Sequence, residues 1–372
     1  MPYCRRANFG SGTPGACRIG CEYLKRTANT RSARRAVCWA AGALLLVCGA
    51  TARCQTPEQF YKARQLTMLV FTGPGSTYDI YARLLVRHLG KHIPGNPTFI
   101  VQNMVGAGGF KLVDYLYRIA PADGSVMGTI GRGLPFEPML GENPVNFDPL
   151  RFTWLGSMNR DVSLAMAWHT AKVKNFEDLR SYDLLVPGTG VGADSEIIPL
   201  AINSFAGTRF KIIEGYRDTS VAALAMERGE LDGLAYWSWS SLMAAHPDWI
   251  RDKKVNLLFH TGATPISAVP DLPSVRNLVV NPTDKKALLL LLARETLGRP
   301  FLAPPTVPSD RAEVLRTAFA VTLRDPEFQK DADQARLDTD LVTGAELDTV
   351  LRDSATAPQQ VIARLKQALG RN

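Results

Sequence analysis

Leu66-Thr67-Met68-Leu69-Val70-Phe71-Thr72-Gly73-Pro74-Gly75-Ser76-Thr77-Tyr78-Asp79 reads in order as a strand, a tight loop and the start of a helix. Leu66 to Phe71 is an apolar run rich in strand formers, and Thr72 to Gly75 is a glycine turn. Ile80, Leu84, Leu85 and Leu89 then share one helical face. Ser76 with Asp79 three residues on has capping-box spacing. That spacing predicts a helix starting at the loop, with its first free N–H groups aimed above the strand end.

Outward from this unit, Thr98 to Gln102 reads as the next strand, Gly109 to Ile119 as a helix and Ser125 to Ile130 as a third strand. Such alternation predicts an α/β protein with mostly parallel sheets flanked by helices. The unit recurs in the second half: Asp183 to Val186 is a strand, Gly188-Thr189-Gly190-Val191-Gly192 a glycine loop, and Ser195 to Phe205 a helix. The recurrence is one of architecture, not of repeated sequence. Phe210 to Glu214, Ser220 to Arg228, Leu234 to Trp237 and Val255 to His260 continue the alternation, and Lys285 to Leu297 opens a helical carboxy-terminal section. At 372 residues the chain is longer than one usual core, so two lobes are expected. The expected division is a leader at 1–52, one lobe from 53–165 plus 270–372, and a second from 166–269, with the Pro-rich stretches Thr264 to Pro273 and Arg299 to Pro308 as crossings between lobes.

Composition is that of a globular protein, 46% hydrophobic and 21% charged. The net charge of +8 is unevenly placed, because residues 1–52 carry Arg5, Arg6, Arg18, Lys25, Arg26, Arg31, Arg34 and Arg35 against the single acid Glu22. The rest of the chain is close to neutral, which removes the main support for nucleic-acid binding. Arg34 and Arg35 precede the apolar run Ala36 to Ala50, and Ala50-Thr51-Ala52 supplies a small-x-small cleavage pattern. The leader therefore reads as an export signal cleaved near Ala52. Its apolar run is shorter than the roughly 20 residues a membrane-spanning helix needs. All six cysteines, Cys4, Cys17, Cys21, Cys38, Cys48 and Cys54, lie at this end, so the folded body has neither a disulfide framework nor a cysteine-based metal site.

Two glycine loops, each ending a strand and opening a helix, carry the chemistry. There, backbone N–H groups and the helix dipole attract an anion, and glycine lets it approach closely; a tight strand-to-helix turn is the plainer alternative. Facing each other across a cleft, they would grip a carboxylate-bearing molecule. No G-x-S-x-G elbow, H-E-x-x-H or G-x-x-x-x-G-K-[ST] motif stands in the mature chain, and no enzyme activity or cofactor is expected. Asp79 and Asp194, the acids beside the loops, are better explained as helix-cap residues than as catalytic bases. His88 and His92 lie four apart at a helix end, where imidazolium is favoured over a metal, and no metal is expected. The run Tyr236-Trp237-Ser238-Trp239 reads either as a ring cover over a ligand or as core. Tyr216, Arg217 and Asp218 either reach the cleft or form a surface ion pair.

These residues resemble those of the substrate-binding receptors of tripartite tricarboxylate transporters, the TctC or Bug type. The marks are Gly73-Pro74-Gly75-Ser76-Thr77-Tyr78-Asp79, Gln102-Asn103-Met104-Val105-Gly106-Ala107-Gly108-Gly109, Ala120-Pro121-Ala122-Asp123-Gly124 and Pro187-Gly188-Thr189-Gly190-Val191-Gly192. Gly229-Glu230-Leu231-Asp232-Gly233, the stretch Phe301 to Pro308 and Asp325-Pro326-Glu327-Phe328 complete them. The resemblance implies a type II-like two-lobe periplasmic binding fold with a small organic acid held in the inter-lobe cleft, largely through backbone groups and water. It implies delivery to separate membrane permease subunits, and a monomer is the default state. It carries ligand binding to Gly75, Ser76, Thr77 and Asp79 in the first loop and to Gly188, Thr189, Gly190 and Gly192 in the second. Tyr78, Asp194, Tyr216 and Arg217 join them as candidates. Ser76 stands where the family commonly has a second glycine, Tyr78 brings an unusually bulky ring, and Asp194 replaces a small hydroxyl residue, where it would cap the helix or repel a second ligand carboxylate. A sensor that presents its closed form to a membrane histidine kinase, and an α/β enzyme, are the competing readings.

Overall fold

The computed structural model describes residues 55–141, 145–190 and 192–371. Its strands, in chain order, are β1 (Gln65–Val70), β2 (Thr98–Asn103), β3 (Val126–Thr129), β4 (Thr153–Ser157), β5 (Ser163–Trp168) and β6 (Leu184–Gly188). They continue as β7 (Phe210–Glu214), β8 (Gly233–Ser238), β9 (Val255–His260), β10 (Pro300–Ala303) and β11 (Val342–Thr343). One sheet has the order β11-β4-β10-β3-β1-β2, a second β8-β5-β9, and a third pairs β6 with β7. The leader, its cleavage point and all six cysteines lie outside the described residues. Among the described residues no helix is long and apolar enough to cross a membrane.

In β1, Leu66, Met68, Leu69 and Val70 are all buried, as expected of a strand covered on both faces. The helix Thr77–Leu89 starts where Ser76 predicts, its Oγ accepting the Asp79 N–H at 3.3 Å. Its buried stripe is Tyr81, Leu84, Leu85, His88 and Leu89, whereas Ile80 of the predicted face is 41% exposed. The stripe is set one residue later than the apolar count suggests because the Tyr81 ring enters the core while its hydroxyl donates to Asp338 O at 2.8 Å.

The sheets are mixed rather than mostly parallel. β1 runs parallel to β2 and β3, and β6 to β7, but β10 is antiparallel to β3 and β4, and β5 to β8 and β9. The stretch Arg299 to Pro308, expected as a crossing, contains β10, a strand inside the first sheet. Thr264 to Pro273 is not a crossing either. It folds back on the β5–β8–β9 side, where Ile266 and Leu272 pack and Pro273 O accepts the His260 N–H at 2.9 Å. The sheets are instead joined by two short segments lying side by side. Met158 N–H donates to Arg299 O (3.0 Å), Gly298 N–H to Asn159 O (3.2 Å) and Asp161 N–H to Glu295 O (3.0 Å). Behind them, the helix Gln359–Ala368 packs on the helices Pro282–Leu292, Asp194–Ala206 and Glu137–Leu140, tying the carboxy-terminal end to both lobes.

Candidate functional site

Register brings the ends of three parallel strands level: Val70 pairs with Asn103 and with Thr129. The loops that follow them therefore open on one edge, the place where α/β sheets take ligands. In the first loop Gly75 has φ 79°, a left-handed conformation that favours glycine. Its N–H donates to the Asp79 carboxylate at 2.9 Å. Asp79 also accepts from Arg83 Nε and Asn103 Nδ2, each at 2.8 Å. Ser76 Oγ bonds to Thr72 Oγ1 at 2.5 Å, and Thr77 opens the helix. Asp79 is therefore a loop fastener, and its carboxylate closes on Gly75 rather than on Ser76. Burial opposes its ionisation, but Arg83, the Gly75 N–H and Asn103 outweigh burial and hold the carboxyl below the usual range.

The second loop repeats the device. Gly192 has φ 77°, and its N–H donates to Glu196 Oε2, again four residues on, at 2.8 Å. Thr189 gives its N–H to Ser195 Oγ at 3.1 Å and shares a hydroxyl bond with it at 2.8 Å. Gly188 ends β6 against the carboxylate end of the Glu214 side chain, which a Cβ there would displace. Val191 lies outside the described residues. A Cβ on Gly190 would stand 3.9 Å from Gly108 Cα, so the second loop meets the Gly106–Gly109 turn of the first lobe. Several N–H groups that a ligand would use are thus already taken by the chain's own side chains.

Between the loops lies a cluster of buried charge. Asp194, expected as a helix cap or a repelling acid, is the first residue of its helix and does not cap it. Its Oδ2 accepts from Arg132 Nε at 2.7 Å and its Oδ1 from Arg294 Nη1 at 2.8 Å. Both arginine side chains are buried, at 6% and 0% exposure. Burial works against the Asp194 charge, yet Arg294 and Arg132 hold its carboxyl below the ordinary value. Arg132 follows β3 of one lobe and Asp194 opens a helix of the other, so this ion triad bridges the cleft. Alongside, Arg299 pairs with Asp161 at 2.8 Å and donates to Ser238 and Ser241.

Tyr78 enters the same place. Its ring packs edge-on to Phe71 with centroids 4.8 Å apart, and the Arg299 guanidinium lies 4.7 Å above it. Its hydroxyl accepts from the Arg132 N–H and donates to Gly298 O, both at 3.4 Å. Tyr236 places its ring 4.9 Å from the Arg132 guanidinium, whereas Trp237 is core. Tyr216 packs beside the second loop and donates its N–H to Gly188 O at 3.3 Å. Arg217 is not brought to the site: its side chain is 83% exposed and pairs with Asp218 at 3.4 Å. The two histidines bind different acids, His88 Nε2 lying 3.0 Å from Asp331 and His92 Nε2 2.8 Å from Asp325. The nearby Asp325 and Glu327 carboxylates close on the Lys91 ammonium.

Arg132, Arg294 and Arg299 were missed from the sequence. The signal for Arg132 was its setting, Gly131-Arg132-Gly133 directly after a strand; for Arg294 it was a charge ending the run Leu288 to Ala293. An apolar groove of about 570 Å³, lined by Pro135, Phe136, Met139, Leu351 and Ile362 among others, lies against the carboxy-terminal helices.

No family model matches the chain, and no curated protein does. Solved structures match it over most of its length. The periplasmic binding protein BugD superposes with a TM-score of 0.63 at 21% identity, covering 83% of this chain and 98% of its own. MatC of Rhodopseudomonas palustris with bound malate gives 0.63 at 18%, covering 82% and 99%. Rpa4515 of R. palustris with adipate gives 0.64 at 17%, covering 81% and 97%. The chain has the two-lobe periplasmic binding fold. In this periplasmic binding fold, Gly108 and Gly190 mark where the lobes touch, and the Arg132–Asp194–Arg294 triad lies at their contact.

Proposed function

We propose that the chain is a solute-binding receptor of the TctC or Bug type, which captures a small organic acid in the periplasm and delivers it to the permease subunits of a tripartite tricarboxylate transporter. The observation that carries this reading is the meeting of two strand-end glycine loops over buried arginines inside a periplasmic binding fold. Two of the similar structures hold malate and adipate, both carboxylates. On this reading the chain is exported with cleavage near Ala52 and works as a monomer. Gly75, Ser76, Thr77, Tyr78, Asp79, Gly188, Thr189, Gly190, Gly192, Asp194 and Tyr216 frame the ligand, together with Arg132, Arg294 and Tyr236, while Arg217 leaves the set. Binding without chemistry is favoured because Asp79 and Asp194 are held as carboxylates of lowered basicity by their partners, which makes each a poor general base.

The test is a thermal-shift panel of organic acids, each beside its amide. A ligand present at a hundred times its Kd and binding only the folded state stabilises by about 2.7 kcal/mol. Acids are expected to raise the midpoint and amides to leave it unchanged. A hit that is consumed during incubation, or a panel without hits, would contradict the receptor reading.

A further inference from the structure

Every nitrogen of the Arg132 guanidinium has a partner. Its Nε goes to Asp194 at 2.7 Å, Nη1 to Asp161 O at 3.0 Å and Nη2 to Ser163 Oγ at 2.7 Å. Arg294 is different. Its Nε donates to Leu291 O at 2.9 Å and its Nη1 to Asp194 at 2.8 Å, while Nη2 meets no partner among the described residues. The Tyr236 hydroxyl likewise meets none, although the residue is only 6% exposed. The Tyr236 ring lies 4.9 Å from the Arg132 guanidinium, which shares the Asp194 carboxylate with Arg294, so the two unmet donors belong to one neighbourhood. Burial keeps the phenol neutral and able to donate.

The charges there do not balance. Arg132 and Arg294 face one full anion, Asp194, since Arg299 has its own partner in Asp161. Glu295 and Glu137 likewise have arginines of their own, Arg276 and Arg371, each at 3.1 Å. One positive charge therefore remains uncompensated beside two buried donors, which is what a single incoming carboxylate satisfies. A second carboxylate finds no such welcome. It would face the Asp194 carboxylate and loop N–H groups already given to Glu196 and Ser195.

Resting on the carboxylate-receptor reading above, we propose that the ligand is a monocarboxylate whose carboxylate is taken by Arg294 Nη2 and Tyr236 Oη, and that Asp194 fills with the chain's own carboxylate the place a second ligand carboxylate would need. Asp194 is then the residue that turns a diacid cleft into a monoacid cleft. Tyr236→Phe removes one of the two ligand donors while keeping the ring against Arg132.

The experiment is calorimetric titration of the purified protein with straight-chain acids in equal-length pairs, butyrate with succinate and hexanoate with adipate. Asp194→Asn and Tyr236→Phe are titrated alongside, with circular dichroism confirming that each variant is folded at the titration temperature. The wild type is expected to prefer the monoacid of each pair, and Asp194→Asn to reverse that preference by admitting the diacid. Tyr236→Phe is expected to weaken the monoacid by roughly ten- to hundredfold, the scale of one hydrogen bond to a charged group. Diacids binding the wild type as well as monoacids, or Tyr236→Phe leaving monoacid affinity untouched, would overturn the assignment while leaving a carboxylate receptor standing. Binding of no acid by any folded form would overturn the receptor reading itself.

Discussion

Asp194→Asn is the perturbation that weighs the cleft's electrostatics most simply. The carboxylate is clamped at 2.7 Å and 2.8 Å by two arginines that are 6% and 0% exposed. The amide keeps the shape but removes the charge, and its NH2 must face the donor of one arginine. Removing one partner of a buried ion pair costs about 3–5 kcal/mol, because the remaining charge stays buried without compensation. In a chain of this size that corresponds to a fall of roughly 5–15 °C in midpoint. The assay is urea and thermal unfolding at pH 7, with Asp183→Asn as the matched surface control. Asp183 pairs with Arg209 at 2.6 Å, but the two side chains are 39% and 50% exposed, and no resolvable shift is expected there. Equal midpoints for the two variants would refute the reasoning, since the buried clamp would then be worth no more than a solvated ion pair.

Glu295→Gln gives a pH signature. Burial raises the Glu295 pKa above its unfolded value, so its contribution to stability is full below the unfolded pKa and is lost as pH rises through the folded one. Gln does not titrate, and the stability deficit of the variant is therefore expected to narrow as pH rises above about 4.3, the unfolded value; a deficit that widens would have the wrong sign. Gly192→Ala forces a side chain into φ 77° and sets its Cβ 2.8 Å from the Glu137 carboxylate carbon, so a loss of about 1–3 kcal/mol is expected by urea unfolding. Arg217→Ala, at an 83% exposed position, is expected to change neither stability nor acid binding, and a lost thermal shift with any acid would return Arg217 to the site.

The first unit, from β1 through the glycine loop to the helix at Thr77, was legible because every element of it is local: an apolar run, a glycine turn and a hydroxyl cap three residues from its N–H. The second loop was legible for the same reason. β10 was not, since Pro300-Phe301-Leu302-Ala303 is short and flanked by prolines, and only its pairing with β3 and β4 makes it a strand. β4 and β5 carry no turn pattern that separates them from their surroundings. Asp194 was singled out, but its partners lie 62 and 100 residues away, a distance over which neither periodicity nor motif spacing carries information. The free N–H groups expected in the loops were changed in part by side chains only four to six residues on. Both loops kept their shape, yet each gave a glycine N–H to an acid four residues on.

The central claim is that a carboxylate is held between the loops, and amide chemical-shift mapping during titration of the labelled protein with butyrate tests it most directly. Shifts confined to Gly75, Gly108, Gly190, Asp194 and Tyr236, with the helix Gln359–Ala368 unmoved, are the predicted result. Shifts confined instead to Met139, Leu351 and Ile362 would place the acid in the apolar groove and contradict the account.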